Sequence, residues 1–197
     1  MQKTHDCRCL TKAIAKVFKD MSKEKKDIVE EIGFGALAHV PKMNVSHSLL
    51  RELIDCYDDY HGCLKTLHGK IYITPSKITV ALGINHVGNR FPKKVEYGSL
   101  NEADKAIIHS LKCVTLASLT KSVLDMSVEG EKNRKKFWRT FVVFVQRCFL
   151  LPTMVNMASP IHKLHVLRVD NVRQWDWANH VLNFLRKGIE NKRKGKK

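Results

Sequence analysis

The side chains best placed to do chemistry are cations, and the chemistry is phosphate neutralisation. Lys132, Arg134, Lys135 and Lys136 fall within five residues at the start of an apolar helical pattern. Lys192, Arg193, Lys194, Lys196 and Lys197 make up most of the C-terminal end. Lysine and arginine in such clusters hold phosphates without reading bases, giving salt-sensitive, non-specific contact with DNA or RNA. The tail also has the composition of a nuclear-import signal. Alternatively it is a solvated helix end, where cations suit the C-terminal dipole. Over the whole chain, 35 Lys and Arg against 19 Asp and Glu give a formal net charge of +16 at pH 7. That excess favours polyanion partners, or else marks a piece whose acidic counterpart lies elsewhere.

Other chemistries fit poorly. His5, Cys7 and Cys9 could start a metal site, but no second ligand pair comes after them at zinc-finger spacing, and His61, Cys63 and His68 fail in the same way. His162 and His165 lack both the four-residue spacing and the glutamate of a zinc-protease helix. No cysteine sits in a nucleophile motif, and no glycine-rich phosphate loop is present. Asp58 and Asp59 are adjacent, so on a helix they diverge by about 100° and share no substrate. The expectation is a non-enzymatic chain with no cofactor and no metal.

The elements that must position the cations are helices. Leu10, Ile14, Val17, Phe18 and Met21 recur at helical spacing, and a second helix runs from Lys23, capped by Ser22, to Ile32. Phe34 to Pro41 reads as a loop or irregular turn. Ser48 to Asp58 reads as a helix with Leu49, Leu50, Leu53, Ile54 and Tyr57 inward. His68-Gly69 reads as the turn of a small hairpin ending in Lys70 to Ile73. Thr74 then caps a helix with Pro75 in its first turn, Ile78, Ala81 and Leu82 inward, and Gly83 at its end.

ITPSKITVALGIN looks like half of a helix-turn-helix. Gly88 and Pro92 interrupt the next segment, so the recognition helix is missing. Further helices are expected from Ser99, around Leu116 to Leu124, from Glu131 to Leu151, and from Asp176 to Gly188. A short turn or helix starts at Ser159-Pro160. The most apolar run, FVVFVQRCFLLP, is too short to span a bilayer and contains Gln146 and Arg147, so no membrane contact is expected. Cys56, Cys113 and Cys148 lie in apolar helical patterns as small hydrophobes, and the polar N-terminus lacks a secretory signal. Both features suit an intracellular protein with reduced thiols.

The fold class is therefore mainly α: a single helical domain with one small β-hairpin. Residues 1–22 form a partly helical N-terminal segment, 23–189 the helical domain and 190–197 the basic tail.

The order of FGALAHVP, LLRELIDCYD, IYITPSKITVALGI, FVVFVQRCFLLPT and WDWANHVLNFLRKGI resembles the plant mobile domain, a family also labelled aminotransferase-like. The resemblance spans roughly Gly33 to Ile189. It implies a transposable-element-derived protein of the nucleus, acting through nuclear protein partners or nucleic acid. It also implies an alternative, the N-terminal part of a longer element-encoded protein with a separate Ulp1-like cysteine protease domain, and a chain cut short at its C-terminal end. The label carries no pyridoxal-phosphate chemistry here, because no Schiff-base lysine or phosphate cup can be assigned.

Overall fold

A computed structural model describes residues 11–43, 46–91, 98, 100–110, 114–152 and 169–195. The fold is mainly α, with eight α-helices and one three-stranded antiparallel sheet among the described residues. Leu10, Ser99, Cys113, the Ser159-Pro160 turn, His162, His165, Lys196, Lys197 and the His5/Cys7/Cys9 cluster lie outside them.

Helix α1 (Thr11–Asp20) buries Ile14, Val17 and Phe18, and α2 (Lys23–Glu31) buries Ile28 and Val29. Ser22 caps α2 by accepting from the Lys25 N–H. Phe34 to Pro41, expected to be a loop or irregular turn, contains a 3-10 helix, Gly35–His39, whose Leu37 is fully buried. Its carbonyls need partners once Leu37 enters the core, and a tight helical turn supplies them.

The core is organised around α7 (Glu131–Val145). From Phe137 onward, Phe137, Thr140, Phe141, Val142, Val143, Phe144 and Val145 are all buried, the mark of a helix surrounded by protein. Phe141 stacks on Phe137 at 6.0 Å and meets Phe18 edge-on at 6.0 Å. The expected helix to Leu151 is not a single α-helix. Gln146–Leu150 forms a π-helical turn, with the Leu151 N–H reaching back to the Gln146 carbonyl at 2.8 Å.

Around α3 (His47–Asp55) the inward reading fails in part. Leu49 is 47% and Leu53 40% exposed, and Cys56 is exposed. The apolar stripe is present but outlies the core, since the chain turns at once into β1 (Tyr57–Asp58), β2 (Cys63–Thr66) and β3 (Gly69–Tyr72). The expected hairpin is β2–β3, with Leu64 opposite Ile71 and Lys65 opposite Lys70. β1 adds a third strand, pairing Tyr57 with Leu64.

Helix α4 (Pro75–Leu82) starts as expected, with Thr74 accepting from the Lys77 N–H, but it lies at the margin of the core and Ala81 is exposed. Gly83 ends it at φ 65°, where a Cβ would fall 2.1 Å from the Ala36 Cβ. Beyond it the chain is stitched to the start of α8 (Trp177–Arg193) rather than entering a recognition helix. The Asn89 N–H donates to the Gln174 carbonyl at 2.7 Å, and the Ala178 N–H to the Asn85 carbonyl at 2.9 Å. Asp176 caps α8, and Trp177 Nε1 donates to the Val172 carbonyl at 2.9 Å. α8 buries Trp177, Ala178, Val181 and Leu182, whereas Leu185 is 44% exposed. The helix continues past residue 189 into the basic tail.

Candidate nucleic-acid interface

Three helices build the site. α5 (Glu102–Ser110), α6 (Leu116–Asp125) and α7 line an open cavity of about 750 Å³. α6 turns Leu119 and Val123 toward the core. Its neighbouring face carries Ser118, Lys121, Ser122 and Asp125 at i, i+3, i+4 and i+7, and these line the cavity. Lys136, Arg139 and Thr140 of α7 line the opposite side, again one turn apart. The Thr140 hydroxyl donates to the Lys136 carbonyl at 2.9 Å. Three cations against one carboxylate give the cavity a positive balance.

The expected cluster on α7 therefore divides. Arg134 pairs with Glu31 of α2 at 2.7 Å, and Lys135 with Glu131 at 2.9 Å. Lys136 lines the cavity, and Lys132 is exposed. Lys132, Lys136 and Arg139 stand at i, i+4 and i+7, so a cationic stripe runs along α7 into the cavity. Lys121 and Arg139 were missed in the sequence. Lys121 is an isolated cation in an otherwise uncharged stretch of α6, and Arg139 sits among buried aromatic neighbours beyond the basic cluster. Arg139 lies one turn beyond Lys136 on α7, whereas only the packing of α6 on α7 brings Lys121 to them.

The tail divides too. Arg193 Nη1 donates to Asp59 at 2.6 Å, and Nη2 donates to the carbonyls of Ile54, at 2.7 Å, and Tyr57. Lys194 pairs with Glu190 one turn back, and Lys192 is exposed. Arg193 is thus a clasp between the end of α8 and the α3–β1 junction.

Three further charged groups are spoken for. Burial pushes the Lys25 ammonium below its ordinary pKa, against the opposing pull of Asp125 and Glu24, and it donates to the Leu124 carbonyl at the end of α6. Burial likewise lowers the pKa of Arg147, which donates to the Val114 carbonyl just before α6. Asp58 is held well below the usual carboxylate range by hydrogen bonds from Lys65, at 2.8 Å, and His61, at 2.7 Å. Among the described residues no three His, Cys, Asp or Glu side chains group closely enough to hold a metal ion. No helix among them is long and apolar enough to cross a membrane.

A family model for a domain of unknown function, DUF8566, matches residues 7–197. The chain belongs to the DUF8566 family. No curated protein and no solved structure matches it. The resemblance to the plant mobile domain is thereby corrected, because the family matched over nearly the whole chain is a different one. The structure explains why the quoted pieces misled. IYITPSKITVALGI is a strand, a Thr74 cap and a Pro75 start; WDWANHV is an Asp176 cap before a buried Trp177. General helix-start chemistry produces such pieces in unrelated helical proteins. The transposable-element origin and the protease-linked alternative drawn from that resemblance lose their support with it, and the nuclear address keeps only the basic composition of the tail behind it.

Proposed function

We propose that this DUF8566 chain is a non-enzymatic binding module that holds the phosphate backbone of a nucleic acid along α7 and across the α6–α7 groove. The observation that supports this reading most is the convergence of Lys121 with Lys136 and Arg139 on one open groove. The cations Arg134, Lys135, Arg193 and Lys194 are held in ion pairs, whereas Lys132 remains exposed on α7 ahead of the groove and Lys192 remains exposed near the end of α8. Backbone contact of this kind is salt-sensitive, because each neutralised phosphate releases counterions.

The test is fluorescence anisotropy of labelled DNA across a salt series, with the wild-type chain and a Lys121→Gln/Lys132→Gln/Lys136→Gln variant. If all three side chains hold phosphates, the slope of log affinity against log salt flattens by roughly 2 for a single strand. An unchanged slope would remove the groove from the reading.

A protein-partner reading has one specific observation behind it. Leu49 and Leu53, one turn apart on α3, are 47% and 40% exposed. Trp175 and Trp177, the large apolar side chains at the start of α8, are buried at 7% and 2% exposure and offer such a partner little surface. The nucleic-acid reading is therefore preferred.

A further inference from the structure

We propose that the α5–α6–α7 cavity is the selective part of this interface and receives one unpaired base of a single strand, whose flanking phosphates rest on Lys121 and Lys136. The inference rests on the nucleic-acid reading above and narrows it to single strands. Phosphate contact alone needs only a convex cationic surface. Here the cations stand at the rim of a concavity of about 750 Å³, inside the size range of small-molecule sites. Ile107, Val114 and Met126 contribute apolar lining, while Ser118 and Ser122 place hydroxyls on the same side of α6. An apolar wall with a few hydroxyls suits a nucleobase, which has apolar faces and a polar edge. Lys121 and Lys136 are exposed and come from different helices, so phosphates on either side of an inserted base each meet a cation.

A duplex can reach this arrangement only by extruding a base from its stack, whereas a single strand has little stacking to give up. The expected result is a single strand bound at least about ten-fold more tightly than a duplex of the same sequence and salt. Ser122→Trp, which fills the cavity from α6, should bring single-strand affinity down to the duplex level. Circular dichroism with the wild-type helical signal reports that the variant is folded. Ser110→Phe, from the α5 side, should do the same.

Three results would overturn the inference. Equal affinity for single strand and duplex, untouched by either cavity-filling change, would mean that no base enters, while the phosphate-binding reading stands. Displacement of the strand by polyglutamate of matched length and charge would mean that the groove responds to charge alone. Binding of neither form at physiological salt would remove the nucleic-acid reading itself.

Discussion

Arg193 and Lys192 are neighbours in a basic run, yet their replacement by alanine should have different consequences. The Arg193 guanidinium donates to Asp59, Ile54 and Tyr57, and the two members of the ion pair are 35% and 46% exposed. An ion pair so exposed contributes about 0–1 kcal/mol. Each carbonyl contact adds about 0.5–1.5 kcal/mol, against a cost of up to ~2 kcal/mol for ordering the arginine. The net expectation for Arg193→Ala is a loss of about 1–2 kcal/mol. In a chain of this length that lowers the melting temperature by roughly 2–8 °C. Lys192→Ala, at an exposed position, should stay within about 0.5 kcal/mol of the wild type. Thermal unfolding followed by circular dichroism separates the two. Anisotropy titrations should show the reverse pattern, with Lys192→Ala flattening the salt slope and Arg193→Ala leaving it alone. Asp59→Ala serves as the control, losing only the ion-pair share. If Arg193→Ala melts with the wild type and flattens the salt slope as Lys192→Ala does, the clasp is wrong and the tail is one continuous phosphate arm. Deleting the tail after Gly188 would confuse these roles, since it removes the clasp together with the exposed cation.

Two further perturbations probe the scaffold. Phe141→Ala empties a fully buried site ringed by Phe18, Phe34, Phe137 and Phe144, and should lose about 3–5 kcal/mol in urea unfolding. A loss below about 1 kcal/mol would place the core elsewhere. Asp58, with its folded pKa depressed by Lys65 and His61, should stabilise the protein fully above its unfolded pKa of about 4 and progressively less as pH falls below that. The stability gap between wild type and Asp58→Asn should therefore be present at pH 6 and shrink on acidification. A gap that stays constant with pH would mean that the carboxylate is not the stabilising species.

Much of the scaffold was legible in one dimension because it obeys local rules. Ser22 and Thr74 cap the helices expected of them, accepting from the N–H groups of Lys25 and Lys77. The Phe137 to Val145 run announces a central helix by being apolar on nearly every side. Burial was less legible where a stripe could face either the core or solvent. Leu49 and Leu53 have helical spacing, but no element among the described residues covers them fully. Gln146 is fully buried, in a π turn that no local pattern signals.

The cationic site shows the division most clearly. Composition and periodicity are local properties, and they are enough to make the chain basic, helical and clustered in charge. Which cations remain available depends on three-dimensional packing. Arg134 meets Glu31 from 103 residues away, and Arg193 meets Asp59 from 134 residues away. Lys121 joins Lys136 and Arg139 only because α6 packs beside α7. Coulomb attraction acts through space and is screened by water and salt over about 10 Å, so the fate of each charge waits on the fold that brings its partner near.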